Sequence, residues 1–123
     1  LCQQRYKIVV STYRCDAKSA FRVFLKENPS IRAVFVGVRR SDPFCENLEL
    51  IQETDNGWPN FVRVQPILNW SYSDVWNYLI RNDVPYCSLY DKGYTSLGDA
   101  NSTTPNPLLK NNDSSYRPAY CLQ

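Results

Sequence analysis

Gly37-Val38-Arg39-Arg40-Ser41-Asp42-Pro43 packs two adjacent arginines, a carboxylate and two backbone punctuators into seven residues, directly after the apolar run Ile31 to Val36. Guanidinium forks match phosphate oxygens two at a time, and Gly37 lets a backbone approach a ligand or turn sharply. The apolar run reads as a buried strand, so the seven residues form its C-terminal exit loop. Open α/β sheets present their ligand-binding side chains from such loops. The chemistry on offer is anion binding at Arg39 and Arg40. A solvated turn with surface charges is the competing reading, because short basic loops are common.

Asp42 and Asp55 each lie in a loop that follows or approaches a strand. There a carboxylate can hold Mg2+ or accept hydrogen bonds from a base, a ribose or a ring N–H. Asp is equally favoured in turns for local reasons, and Asp55 precedes Asn56-Gly57. Trp58, just before Pro59, offers either a stacking face for a heterocycle or a core ring, while Trp70 and Trp76 read as packing residues. The stretch Pro85 to Gly98 (PYCSLYDKGYTSLG) combines tyrosines, hydroxyls and glycines, and suits either wrapping a polar ligand or crossing the surface under tyrosine anchors.

Any reaction here must run without histidine, which is absent from the 123 residues. That removes Ser-His-Asp and Cys-His constellations and most zinc sites, leaving carboxylates, arginines, lysines, hydroxyls or a borrowed metal ion. Cys2, Cys15, Cys45, Cys87 and Cys121 are scattered, odd in number and without a CxxC pair, which reads as free thiols in a reducing compartment. A net charge of +2 without a long basic run gives no warrant for nucleic acid or a membrane surface as partner. No run approaches the roughly 18 apolar residues of a membrane span and no leader pattern opens the chain, so a cytoplasmic address is expected. The chain starts at Leu1 and has no methionine, and it is expected to be a fragment of a longer protein.

The elements that must position these residues follow from periodicity. Tyr6 to Tyr13 (YKIVVSTY) is β-branched and aromatic, and predicts a buried strand. Asp16 is a candidate N-cap for a helix from Ala17 to about Asn28, with Ala17, Ala20, Phe21, Phe24 and Leu25 on one face and Pro29 ending it. With Ile31 to Val36 this makes a βαβ unit with a parallel pair, hence an α/β class. Asn47 to Glu53 predicts a helical turn or two, Thr54 to Gly57 a turn, and Phe61 to Val64 a short strand. Ser71 with Asp74 predicts a capping box for a helix carrying Val75, Trp76, Leu79 and Ile80. Beyond Tyr90 the periodicity disappears. The expectation is one partial domain over residues 1–123, with an α/β core over 1–90 and a long irregular C-terminal covering segment over 91–123.

Taken in order, GVRRSDP, TDNGWPNFVRVQPILNWSYSDVWNYL, VPYCSLYDKGYTSLG, TTPNPLL and YRPAYCL resemble eukaryotic FAD synthase (FMN adenylyltransferase), over roughly residues 31 to 122. That family belongs to the adenine nucleotide α-hydrolase-like group, which also contains phosphoadenosine phosphosulfate reductase. The resemblance implies a mostly parallel sheet flanked by helices. It also implies transfer of AMP from MgATP to FMN, giving FAD and pyrophosphate. Carried over residue by residue, it gives Arg39 and Arg40 the neutralisation of phosphate charge, and Asp42 the acidic position of that loop, with Mg2+ as its candidate metal. Asp55 is assigned the isoalloxazine edge, Trp58 a wall of the flavin pocket, and Gly37, Tyr94 and Ser96 substrate contacts.

Two departures accompany the matches. The family's Gly-Gly-Lys-Asp type ATP loop does not occur, and neither does the arginine-containing segment beyond YRPAY. The resemblance therefore implies little adenylyltransferase activity for this polypeptide alone, with the N-terminal part of the same enzyme as a candidate partner. The alternatives are a sulfonucleotide reductase-like enzyme and a non-catalytic flavin- or nucleotide-binding module. The reductases use a cysteine in a Glu-Cys-Gly type motif, and Cys121 has no such neighbours.

Overall fold

A computed structural model describes residues 2–122 and divides the chain into two compact units, Leu1–Leu68 and Asn69–Gln123. In the first unit a short helix, α1 (Cys2–Tyr6), precedes α2 (Ala17–Glu27). Three strands follow, β1 (Ala33–Phe35), β2 (Ile51–Glu53) and β3 (Val62–Val64). The class is α/β.

Helix α2 starts where Asp16, extended at φ −62° and ψ 157°, turns its carboxylate onto the Ser19 N–H at 3.0 Å. It stops where the backbone N–H and side-chain amide of Asn28 both close on the Phe24 carbonyl, ahead of Pro29. The sheet runs in the order β1-β3-β2. β3 lies parallel to β1, with Val34 opposite Arg63, and antiparallel to β2, with Gln52 opposite the same Arg63. Phe21 of α2 packs on Phe61 at 4.9 Å between ring centroids, so α2 covers the face of the sheet that carries Phe61. The opposite face carries Phe35 and Ile51, which are exposed.

Two expectations are corrected in this unit. Tyr6 to Tyr13 is not a buried strand. Tyr6 ends α1, residues 7–13 have no ladder partner among the described residues, and Ile8, Val9 and Val10 are exposed. β propensity measures fit to a paired, half-buried surface, and without a neighbouring strand these residues have nothing to bury against. The predicted βαβ unit is therefore absent from the described residues, and the parallel pair is β1 with β3. Asn47 to Glu53 holds strand β2 and no helical turn, because the turn after it folds the chain back onto β3. The Thr54 N–H reaches the Phe61 carbonyl at 3.1 Å and the Thr54 hydroxyl reaches the Pro59 carbonyl at 2.8 Å. Cross-strand pairing outweighs the weak helix preference of those residues.

The second unit is built on α3 (Tyr72–Arg81). Ser71 caps it through a complete capping box with Asp74. The Ser71 backbone N–H, and then its hydroxyl, hold the Asp74 carboxyl below the ordinary carboxylate range. Trp76 is buried and is surrounded by Tyr86, Tyr90 and Tyr120, with centroids at 5.0, 5.3 and 5.9 Å. The remainder is a chain of tight turns, with 3-10 segments at Tyr90–Lys92, Pro107–Leu109 and Ala119–Cys121. Leu109 and Ala119 are fully buried.

Gly93 closes the first of these turns at φ 82°, and a Cβ there would lie 2.6 Å from Tyr116 Cβ. Both the conformation and the space demand glycine. Gly93→Ala is therefore expected to cost about 2–4 kcal/mol, from left-handed strain plus overpacking. Gly98→Ala, whose added Cβ would come no closer than 3.8 Å to Thr103, should leave the thermal midpoint near that of the parent. Thermal denaturation of the two variants checks this, and equal midpoints would contradict it.

Candidate functional site

The loop after β1 is held at two points before it presents any side chain. The Val36 N–H donates to the Val64 carbonyl at 2.9 Å, continuing the parallel ladder, and the Arg40 N–H donates to the Leu68 carbonyl at 2.7 Å. Between these points the charges of the loop are organised internally. Asp42 accepts the Arg39 backbone N–H at 2.8 Å on one oxygen and the Arg39 guanidinium at 2.9 Å on the other. One guanidinium nitrogen of Arg40 donates to the carbonyls of Glu46 and Leu48, both at 2.9 Å, and so spans the turn that contains buried Cys45. Gly37 has ordinary backbone angles, and a Cβ on it would meet nothing within 4 Å. The fold does not require a glycine there, and the space beside it is open.

The Thr54–Phe61 connection between β2 and β3 holds Asp55 and Trp58. The Trp58 N–H closes the turn on the Asp55 carbonyl at 3.0 Å, and Gly57 takes the left-handed φ of 83° that the turn needs. Trp58 meets Phe21 edge-on at 6.3 Å and remains 40% exposed, so its ring is braced on one side and open on the other. The Asp55 carboxylate pairs with Arg63 at 3.2 Å. Arg63 is a residue that sequence reasoning missed. Its signal was a lone charge inside the apolar run Phe61 to Val64.

The ladder decides where these two groups stand. Phe35, Val64 and Ile51 share one end of the sheet, and Ala33, Val62 and Glu53 share the other. The arginine loop leaves from the Phe35 end and the Asp55–Trp58 turn from the Glu53 end. They are thus separated by the length of the strands, roughly 10 Å at ~3.3 Å per residue. A ligand touching both must be elongated.

Tyr94 and Ser96 belong to the second unit. The Tyr94 N–H donates to the Leu89 carbonyl at 3.3 Å. Ser96 lines a hollow of about 330 Å3 together with Thr95, Asp99, Ser102 and Thr103. Asn106 fixes the Thr95 hydroxyl at 3.1 Å, and Tyr86 donates its hydroxyl to Asp91 at 3.0 Å, a bond that raises the Tyr86 pKa. Among the described residues no three His, Cys, Asp or Glu side chains converge as a metal cage, and no helix is long and apolar enough to cross a membrane.

Residues 3–105 match the model of the phosphoadenosine phosphosulfate reductase domain. Over 121 residues the chain is 48% identical to a protein of Schizosaccharomyces pombe named probable FAD synthase, covering 98% of this chain and 46% of that one. It is similar to the crystal structure of Candida glabrata FMN adenylyltransferase in complex with FMN and an ATP analog. That similarity has a TM-score of 0.85 and 37% identity, and covers 94% of this chain and 42% of the other. Similarity to the Candida auris phosphoadenylyl-sulfate reductase is lower, with a TM-score of 0.53 at 32% identity, covering 69% of this chain and 38% of that one. The chain thus spans less than half the length of the relatives it matches. With a family model covering most of its length, the chain belongs to the phosphoadenosine phosphosulfate reductase domain family.

Proposed function

We propose that this chain is the flavin-facing part of an FMN adenylyltransferase, which transfers AMP from ATP to FMN to give FAD and pyrophosphate. The observation that carries this reading is the 37% identity and TM-score of 0.85 to an FMN adenylyltransferase crystallised with FMN and an ATP analog. The site's layout supports it. FMN is elongated, with an isoalloxazine ring at one end and a phosphate at the other. The sheet offers a carboxylate and a braced, half-open tryptophan at one end and two arginines at the other.

In this reading Trp58 walls the ring, Asp55 accepts a hydrogen bond from the ring edge, and Arg39 and Arg40 offset the charge of the phosphates, with Gly37 giving them room. Tyr94 and Ser96 are assigned further substrate contacts. A phosphate oxygen of FMN attacks the α-phosphorus of ATP, and the bond to pyrophosphate breaks. Positioning and charge neutralisation carry such a transfer, and no covalent nucleophile or histidine is needed. Arg39 is paired with Asp42, so an incoming phosphate would share or replace that carboxylate.

Magnesium does not fit as a resident ion at Asp42, because Arg39 engages both carboxylate oxygens. The remaining length present in the relatives is the proposed partner, supplying the phosphate loop and extending this mixed three-stranded sheet into a mostly parallel one flanked by helices. A cytoplasmic location, and a covering role for residues 91–123 over a core of 1–90, belong to the same proposal. The reductase alternative has the weaker support, a TM-score of 0.53.

Flavin fluorescence titration of the intact protein tests the ring end. Asp55→Ala is expected to weaken FMN binding about 10- to 100-fold, the worth of a hydrogen bond to a charged group. Trp58→Ala is expected to weaken it about three- to tenfold. Unchanged affinity in both would remove the flavin from this turn. At the phosphate end, Gly37→Ala should leave the thermal midpoint unchanged, since its Cβ would enter open space, while weakening FMN or ATP binding if the proposed ligand occupies that space. Parent-like affinity for both would take Gly37 out of the site.

A further inference from the structure

We propose that Arg63 is the positioning residue for flavin recognition, orienting Asp55 so that its outer oxygen receives the imide N–H of the isoalloxazine. The inference rests on the flavin reading above and adds to it a residue which that reading does not assign.

Strand alternation places Phe61, Arg63 and Gln65 on the face of β3 that α2 covers, and both Phe61 and Gln65 are buried. An apolar side chain would serve packing better between them. The Arg63 side chain is instead only 18% exposed, and its Nε is buried without a hydrogen-bond partner. A partly unsatisfied arginine in such a place costs stability. Its ion pair gives little back, because Asp55 is 69% exposed and pairs with an exposed partner contribute little.

What the arrangement does secure is geometry. Arg63 is the central residue of β3, paired on both sides, to Val34 of β1 and Gln52 of β2. Its Nη2 reaches Asp55 Oδ1 at 3.2 Å and the Glu53 carbonyl at 3.1 Å. One nitrogen therefore ties the carboxylate and the end of β2 to the central strand of the sheet. With Oδ1 held, the Asp55 side chain is still 69% exposed, and it lies in the same turn as the part-exposed Trp58. A carboxylate with one oxygen fixed by an arginine is a ready acceptor for an imide N–H. Flavins carry one such donor, N3–H, between two carbonyls.

The test uses the intact protein, with FMN and its N3-methyl derivative as probes, both read by fluorescence titration. The parent should prefer FMN over the N3-methyl compound at least tenfold. Arg63→Met should weaken FMN binding about five- to tenfold and narrow that preference to less than threefold. Arg63→Lys, which keeps the charge and the fold but loses the fork, should fall between. In an Asp55→Ala background, Arg63→Met should add nothing further, because its effect runs through Asp55. Full N3 discrimination in Arg63→Met, or in Arg63→Lys should the methionine variant fail to fold, would overturn the proposal while leaving the flavin site standing. Equal losses in the presence and absence of Asp55 would do the same. A parent protein that binds FMN without discriminating at N3 would instead remove the Asp55 contact, and one that does not bind FMN at all would remove the flavin reading itself.

Discussion

The double pairing of β3 is the constraint on which the first unit depends. Three residues, Val62, Arg63 and Val64, hold a parallel neighbour on one side and an antiparallel neighbour on the other. The parallel pairing sends the loop after β1 out at one end of the sheet. The antiparallel pairing sends the β2–β3 turn out at the other. The separation of the arginine loop from the Asp55–Trp58 turn is therefore a property of the hydrogen-bond ladder, and no side chain in either loop sets it. The ladder continues beyond the strands, through the Val36 to Val64 bond, and the Arg40 to Leu68 bond gives the loop its second anchor.

That geometry recasts the chemistry of the arginine loop. As a string of residues, Gly37 to Pro43 offers two cations and a carboxylate. Folded, Arg39 and Asp42 satisfy each other, and Arg40 reaches across to the Glu46 and Leu48 carbonyls. The loop is pre-organised, and in the proposed function a phosphate would meet Arg39 by exchanging with Asp42. Pre-organised donors need little rearrangement when negative charge arrives, which is how charge neutralisation becomes effective in a transfer without a covalent intermediate. The Asp55–Trp58 turn is organised on the same principle, since Trp58 leans on Phe21 and Asp55 on Arg63.

What could be read from the chain and what could not divide along a physical line. Caps and turns are local, so Asp16, the Ser71–Asp74 box and the Thr54 to Gly57 turn were visible in the sequence and stand in the structure. Strands need partners that lie elsewhere. Tyr6 to Tyr13 has the residues of a strand and no neighbour to pair with among the described residues, while Ile51 to Glu53 has residues that suit a helix and a neighbour that makes it a strand. The turn ahead of Trp58 is local and visible, whereas the hairpin that makes Ile51 to Glu53 a strand depends on pairing with β3. At the site, the loop residues were legible by type and spacing. Arg63 was not, because a single arginine in an apolar run has no pattern, and only the fold brings it to Asp55.

The most direct measurement is turnover. With FMN and MgATP, the intact protein is predicted to release pyrophosphate and form FAD in equal amounts, and to release no sulfite from phosphoadenosine phosphosulfate with a thiol donor. Sulfite release without FAD formation would contradict the account and assign the arginine loop to a sulfonucleotide.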